Sequence, residues 1–181
     1  MFLIMLHALW QYEKARTPLA TADWLATMGG ILILGWLGRY FLLLRGLDEH
    51  GQWAFLVIFT IWVADTFAYL IGSRYGNHKL VPRLSPKKSV EGYVAGIIFG
   101  TIGSVVVSFI FPDITLLLAI LIGLIMTSTS LAGDLAFSLL KREAKVKDSG
   151  HLFPGHGGAL DRLDALLWGV ALAYYLVLAV S

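Results

Sequence analysis

Five long apolar stretches restrict the fold that this chain can adopt. They lie near residues 27–44, 53–72, 93–111, 114–137 and 163–180. As helices, all five are long enough to cross a hydrocarbon core of about 30 Å. Charged residues make up 14% of the chain, against about 25% in soluble domains, and contact with lipid requires such a deficit. The sequence therefore predicts an all-α fold: a polytopic membrane helical bundle of about five transmembrane helices.

The chain begins with a short apolar segment. No basic residue precedes it and no small-residue cleavage site follows it, so it lacks the pattern of a signal peptide. We expect residues 1–26 to form a short apolar segment in the membrane interface. Residues 27–181 contain no repeat, low-complexity stretch or flexible linker, which indicates a single membrane domain.

The basic residues are concentrated in two polar loops, residues 73–92 and 138–162. Each loop carries five of the 14 Lys and Arg residues. Because lysine and arginine are enriched in cytoplasmic loops, we expect both loops and the N-terminal segment to face the cytoplasm. An integral membrane protein of this topology could take a water-soluble substrate from the cytoplasm and a lipid from the adjacent leaflet.

The loop at residues 138–162 combines three features that a plain connector does not need. It carries several cations, it carries carboxylates, and it has glycines on both sides of His156. Glycine lets backbone amides approach an anion closely, and phosphoryl or nucleotidyl transfer requires charge neutralisation around phosphate oxygens. A simpler alternative is that the cations set topology and contact lipid headgroups, and that His156 is an ordinary interfacial histidine.

Carboxylates near helix ends are candidate metal ligands. The chain has no cysteine, so a metal would be held by oxygen or imidazole, and oxygen ligands favour Mg²⁺, Mn²⁺ or Ca²⁺. Asp134, Ser138 and Lys141 share one helix face, and Asp161 and Asp164 begin the last span. The alternative for the last two is helix capping, which a helix N-terminus favours. Asp134 lies near a helix C-terminus, where a carboxylate needs a partner such as a metal or Lys141.

The second span carries an acidic residue, Asp65, one helical turn from Tyr69. An unpaired charge at this position is costly in a membrane. Asp65 can pair with an arginine such as Arg39, or it can belong to a substrate pocket, and the sequence leaves both interpretations open.

The end of the first polar loop brings two lysines, Lys87 and Lys88, beside hydroxyl residues. This arrangement can hold phosphate, although a basic turn before a helix is common. Ser85-Pro86 favours a turn, and either Ser85 or Ser89 can cap the following helix.

These polar blocks together resemble the signature of the CDP-diacylglycerol synthases, the phosphatidate cytidylyltransferases. The resemblance extends from Asp65 to the C-terminus and holds in order and spacing. The chain has no Walker A or Gly-x-Gly-x-x-Gly sequence, so a nucleotide would be bound in another way. The matching blocks are Asp65-Thr66-x-Ala68-Tyr69-x-x-Gly72, Ser85-Pro86-Lys87-Lys88-Ser89-x-Glu91-Gly92, Gly133-Asp134, Ser138-x-Leu140-Lys141-Arg142, Lys147-Asp148-x-Gly150, Phe153-Pro154-x-His156-Gly157-Gly158 and Asp161-Arg162-x-Asp164.

The resemblance implies a function and a set of partners. The family converts CTP and phosphatidic acid to CDP-diacylglycerol and pyrophosphate in phospholipid biosynthesis. It has an all-helical membrane fold, is usually dimeric and requires Mg²⁺, with K⁺ as a further cation that can share the site. We therefore expect a homodimer in a bacterial inner or cell membrane, with no nucleic-acid partner. Its residues 27–181 would form the catalytic domain, with the active site facing the cytoplasm.

By position, the resemblance also assigns roles to individual residues. Asp134 and Asp161 would bind the metal. The catalytic roles would fall to Ser138, Lys141, Arg142, Lys147, Asp148, His156 and Arg162. The substrates would be bound by Asp65, Tyr69, Ser85, Lys87, Lys88, Glu91, Gly157 and Gly158.

Two departures from the family pattern leave alternatives open. Ala159 replaces a larger branched aliphatic residue, which we expect to alter packing only. Family members are usually longer at the N-terminus, so the chain could be a truncated and inactive homologue. Other interpretations are a CTP-dependent lipid-modifying enzyme such as a polyprenol kinase, or a transporter that uses Asp65 and Asp134 as intramembrane charges. The clustering of polar residues at one membrane face argues against transport.

Overall fold

The computed structural model describes residues 1–150 and 158–180 and is mainly helical. The chain divides into two compact units, Met1–Arg39 and Tyr40–Ser181. In chain order the elements are α1 (Phe2–Glu13), α2 (Ala20–Ile31), a π-helical turn (Leu32–Leu37), α3 (Arg39–Arg45), α4 (Gln52–Tyr75), β1 (Lys79–Val81), β2 (Ser85–Ser89), α5 (Val90–Ile110), α6 (Leu116–Glu143) and α7 (Leu160–Val180).

Five helical stretches in the described part of the chain are long and apolar enough to cross a membrane. They are Ala20–Arg45, which contains α2, the π-helical turn and α3, and each of the helices α4 to α7. This confirms the predicted bundle of about five transmembrane helices. In the first unit, α1 buries none of its residues, whereas α2 buries Ala20 and Met28. The boundary expected after residue 26 falls inside α2.

In the second unit, the helices α4 to α7 pack in chain order, and α4 also contacts α6 and α7. Aliphatic side chains from all four of these helices are fully buried, among them Leu56 of α4, Val107 of α5, Ile122 of α6 and Val170 of α7. Because close packing drives helix association where lipid surrounds the bundle, this interdigitated core holds the ends of α4, α5 and α6 at fixed positions.

Glycines bring the start of α5 against the end of α4. A Cβ atom on Gly92 would lie 2.6 Å from the carbonyl oxygen of Ala68 and 3.0 Å from the Cα atom of Gly72. A larger residue at position 92 would therefore have to displace a helix. Close approach of backbones through small residues is a common way for membrane helices to pack, and here it brings the segment between α4 and α5 to one end of the bundle.

The polar loop between α4 and α5 contains a β-hairpin. β1 and β2 pair in an antiparallel manner, with Lys79 opposite Ser89 and Val81 opposite Ser85. The predicted turn at Ser85-Pro86 was wrong, because both residues belong to β2 and the turn lies at residues 82–84. The whole loop therefore presents a defined surface at the end of the bundle.

Two predicted helix boundaries are confirmed in detail. Ser89 caps α5, since its side-chain oxygen accepts a hydrogen bond of 3.2 Å from the backbone N–H of Gly92. A tight turn joins α5 to α6, with a hydrogen bond of 3.0 Å from the Ile114 N–H to the Phe111 carbonyl. Pro112 and Asp113 lie in this turn, in the gap between the predicted apolar stretches 93–111 and 114–137.

Candidate active site at one end of the bundle

A cavity of about 590 Å³ opens among α4, the β-hairpin, α5 and α6. Part of its wall is apolar and comes from small side chains such as Ala64 and Ala68, together with the backbone of Gly96. The polar part contains both acidic and basic side chains. A site that combines an apolar wall with a few convergent charges is typical of ligand binding in proteins.

The helix α4 supplies an acidic and hydroxyl-bearing wall. Asp65, Tyr69 and Ser73 follow one another at helical spacing and all line the cavity, as residues four apart on one helix face must. Asp65 and Tyr69 had been predicted from sequence to share a face, and the structure confirms this. All three side chains are exposed in the isolated chain, so they are accessible to a ligand in the cavity.

The hairpin supplies the cations. Lys79 from β1 and Lys87 and Lys88 from β2 line the cavity, and the Lys88 ammonium contacts the Asp134 carboxylate of α6. This ion pair links the hairpin to α6 across the cavity. Lysine ammonium groups are point charges suited to phosphate oxygens, so three of them around one cavity favour an anionic ligand.

Among the described residues, Asp134 of α6 has two side-chain partners. Its Oδ1 atom accepts a hydrogen bond of 3.3 Å from the Ser138 hydroxyl, and its Oδ2 atom faces Lys88. The sequence predicted that this carboxylate needs a partner, and one candidate was Lys141. That pairing was wrong, because Lys141 contacts Asp161 instead and the hairpin lysine takes its place.

Asp161 at the start of α7 accepts several hydrogen bonds from the described residues. Its Oδ1 atom lies 2.6 Å from the Lys141 ammonium. Its Oδ2 atom accepts hydrogen bonds from the Ser149 N–H and hydroxyl, both at 2.8 Å, and from the Gly158 N–H at 2.9 Å. Asp161 at the start of α7 therefore contacts the end of α6 through Lys141, and also contacts Ser149 and Gly158.

Three carboxylates from three helices lie within electrostatic range of one another. Asp134 repels both Asp65 of α4 and Asp164 of α7, while Lys88 and Arg162 attract Asp65. Asp164 is nearly buried, at 8% exposure. Within residues 1–150 and 158–180, no group of three His, Asp or Glu side chains is arranged to hold one metal ion. A like-charged cluster of this kind is favourable only with cations close by.

Asp134 and Asp161, the two predicted metal ligands, are each paired with a lysine side chain. Lysine ammonium groups contact Asp134 and Asp161, in the position where a metal cation would be attracted. The oxygen donors suit Mg²⁺ in type. The Asp161 Oδ1 atom contacts Lys141 and its Oδ2 atom accepts three hydrogen bonds. The residues therefore fit the predicted cation in chemistry, and their role as metal ligands stays a prediction.

The other predicted site residues fall into several groups. Ser138, Lys141 and Gly158 do not line the cavity but contact Asp134 or Asp161. Ser85 begins β2, and Glu91 contacts His78 outside the cavity. Four further residues are exposed, and these are Arg142, Lys147, Asp148 and Arg162. His156 and Gly157 lie outside the described residues.

Several cavity residues were not predicted from the sequence. Lys79, Tyr93, Thr127 and Ser130 line the cavity, and the Tyr93 hydroxyl donates a hydrogen bond of 2.9 Å to the Ser128 carbonyl of α6. A signal was present for the hydroxyl residues, because positions 127–130 form an uninterrupted Thr and Ser run within an otherwise apolar span. For Lys79 and Tyr93 the sequence carries no comparable pattern.

Comparison with known proteins identifies relatives over most of the chain. A sequence model described as the cytidylyltransferase family matches residues 1–180. The phosphatidate cytidylyltransferase of Bacillus subtilis is 40% identical over 151 residues, which are 81% of this chain and 55% of that protein. The phosphatidate cytidylyltransferase of Staphylococcus saprophyticus is 37% identical over 152 residues, or 83% and 58%. The uncharacterized protein YnbB of Escherichia coli is 35% identical over 157 residues, or 85% and 51%. The chain thus spans about half the length of the curated relatives it matches.

Proposed function

Because the chain belongs to the cytidylyltransferase family, we propose that it transfers a cytidylyl group from CTP to phosphatidic acid, with CDP-diacylglycerol and pyrophosphate as products. The observation that carries this proposal is the lysine-lined cavity at one end of the membrane-spanning helices. Relatives from two bacteria that bear the name phosphatidate cytidylyltransferase support it. A site at the end of a membrane bundle suits one soluble and one lipid substrate.

The proposed reaction is a displacement at the α-phosphorus of CTP. An oxygen of the phosphatidate phosphate attacks this phosphorus and forms a new P–O bond, while the bond to the β-phosphate oxygen breaks and pyrophosphate leaves. A phosphate monoester has a second pKa of about 6, so it is largely dianionic near neutral pH and needs no strong general base. The main barrier is the repulsion between two anions.

The cations of the cavity address that repulsion. Lys79, Lys87 and Lys88 are proposed to neutralise phosphate charge and to orient the two substrates for in-line attack. Lys88 is held by Asp134, which keeps its ammonium group within the cavity. Asp65 and Tyr69 of α4 line the same cavity and are proposed to contact a substrate.

Mg²⁺ is the proposed cofactor, and K⁺ can accompany it. Asp134 and Asp161 would hold the cation, and each already contacts an ammonium group. When bound, Mg²⁺ would neutralise charge on the phosphate oxygens. The surrounding residues Ser138, Lys141 and Arg142 are proposed to line the phosphate site. The residues proposed to face the nucleotide are Lys147, Asp148, His156, Gly157 and Gly158. Arg162 is proposed to take part in catalysis.

The orientation and assembly of the protein are also proposals. The concentration of Lys and Arg in the two polar loops supports a cytoplasmic active site in a bacterial membrane. The family resemblance supports a homodimer. Native mass spectrometry from detergent micelles would test that expectation by a doubled mass.

The proposed activity can be tested with the purified protein in detergent. Incubation with CTP, phosphatidic acid and Mg²⁺ should release pyrophosphate in amounts equal to the CDP-diacylglycerol formed. Release should require both substrates and should stop on chelation of the metal. Formation of CDP and a newly phosphorylated lipid would indicate a lipid kinase, and an absence of products from well-folded protein would contradict the proposal.

A further inference from the structure

The base of the β-hairpin is joined to α5 by a compact set of contacts outside the cavity. His78 directly precedes β1, and Glu91 is the second residue of α5. The Glu91 carboxylate accepts hydrogen bonds from the His78 N–H at 3.2 and 3.3 Å and lies 2.6 Å from the His78 Nδ1 atom. The Val90 N–H donates a hydrogen bond of 2.9 Å to the His78 carbonyl. The backbone and the ring of His78 are thus both held by the start of α5.

Glu91 itself does not face the cavity. Its neighbours Ser89 and Gly92 line the cavity, whereas Glu91 is absent from the lining and directs its carboxylate to His78. The Glu91 side chain is 28% exposed and that of His78 is 81% exposed. The family resemblance had implied that Glu91 binds substrate, and this geometry instead gives Glu91 an indirect connection to the site.

The element that these contacts hold carries the lysines of the cavity. Lys79 begins β1, and Lys87 and Lys88 lie in β2. The two strands are short, and their register is irregular between Lys79 and Val81. A two-stranded hairpin of this kind is marginally stable alone, and three like charges around one cavity also repel one another. The hairpin therefore depends on its attachments to the bundle, and the ion pair between Lys88 and Asp134 of α6 is one of them.

We propose that Glu91 and His78 form a clamp that positions the hairpin lysines for an anionic substrate. Glu91 is then a positioning residue that acts through His78 and the hairpin and has no contact with substrate. The identity of the anion as the triphosphate of CTP rests on the proposed function. The clamp itself rests only on the contacts between α5 and the hairpin.

The charge of Glu91 and the proposed clamp predict opposite effects of Glu91 substitution on the affinity for CTP, so the clamp can be tested. Glu91 is an anion near an anion-binding cavity, so removal of its charge alone should strengthen the binding of CTP. Loss of a positioning contact should weaken that binding, because the lysines would no longer be held in place. A role confined to helix capping would lower stability and leave affinity unchanged.

The test compares Glu91→Ala, Glu91→Gln, His78→Ala and His78→Asn in the purified full chain. We expect Glu91→Ala to raise the Kd and the KM for CTP about tenfold, equivalent to the loss of one positioning contact, with kcat changed by less than about twofold. Glu91→Gln keeps an acceptor oxygen and His78→Asn keeps a side-chain N–H, so both should retain more affinity than the alanine variants. The double alanine variant should be no worse than Glu91→Ala alone, because Glu91 takes part in both contacts with His78. Glu143→Ala, at an exposed position at the end of α6, is the matched control and should bind CTP normally.

Several results would overturn the clamp. They are unchanged or tighter CTP binding by Glu91→Ala, a fall in kcat with normal KM, or additive losses in the double variant. If the unaltered protein binds no CTP, the proposed function fails. Amide hydrogen exchange then tests separately whether Glu91 and His78 hold the hairpin in place. Glu91→Ala should speed exchange of the Val90 amide about tenfold if the clamp holds the hairpin, and unchanged exchange would refute it.

Discussion

Each carboxylate predicted to bind a metal contacts a lysine: Asp134 contacts Lys88, and Asp161 contacts Lys141. For Asp134 the need for a partner was readable from the sequence, because an unpaired charge within an apolar span is costly. For Asp161 at the start of α7, the sequence left helix capping as an alternative. The identity of the partners was not readable. Lys88 reaches Asp134 from a different element, and only the packed structure brings that element to α6.

We expect Asp134 to be essential for turnover. Asp134→Asn keeps the size of the side chain and one oxygen but removes the charge that attracts a cation, so we expect turnover to fall about 100-fold or more. Membrane insertion and thermal stability should be largely preserved. Turnover by the purified variant is the measurement, and Glu143→Gln, an exposed acidic position on the same helix, is the control. Near-normal turnover of both Asp134→Asn and Asp161→Asn would rule out the proposed metal site.

At the scale of elements, the helices were predictable and the hairpin was not. Long apolar runs have one solution in a membrane, because helices satisfy all their backbone hydrogen bonds internally. The segment Ser85–Ser89 carries a proline and no alternating apolar pattern, and proline argues against a central strand. Both strands of a two-stranded hairpin are edge strands, so Pro86 is tolerated there. The contacts of β2 with α4 and α5, which no local pattern reveals, hold it at the bundle.

The close contact between α4 and α5 at Gly92 predicts that an alanine there lowers the stability of the protein. Gly92→Ala would place a Cβ atom 2.6 Å from the Ala68 carbonyl oxygen, so we expect a loss of about 1–3 kcal/mol in stability, as for other overpacked sites. Gly29→Ala is a suitable control, because a Cβ atom there meets nothing within 4 Å and alanine stabilises a helix interior by about 1 kcal/mol. Thermal unfolding in detergent should show opposite shifts for the two variants. An unchanged unfolding temperature for Gly92→Ala would contradict the tight α4–α5 contact.

For the whole molecule, the sequence predicted the number and order of the spans, and the structure adds how they meet. The five predicted stretches all fall on membrane-length helices. Charge and hydropathy are properties of the local sequence, so they were sufficient to predict the number and order of the spans. The cavity depends on residues from five elements, α4, β1, β2, α5 and α6. Contributors such as Tyr93 and Lys79 could be recognised only after those elements were assembled.

The predicted orientation of the molecule can be tested because the chain has no cysteine. Arg83→Cys would place one thiol in the exposed turn of the hairpin, and His50→Cys would place one in the exposed loop between α3 and α4. With a membrane-impermeant maleimide on intact cells, we expect His50→Cys to be labelled and Arg83→Cys to be labelled only after permeabilisation. The reverse pattern would put the cavity on the outer face of the membrane.

The fate of the individual phosphates of CTP is the most direct test of the proposed cytidylyl transfer. Two parallel reactions would contain the purified protein, phosphatidic acid and Mg²⁺, with CTP labelled at the α-phosphate in one and at the γ-phosphate in the other. We expect the α-label to enter the lipid fraction as CDP-diacylglycerol and the γ-label to be recovered in pyrophosphate. Transfer of γ-label to lipid, or retention of both labels in CTP by well-folded protein, would contradict the proposed cytidylyl transfer.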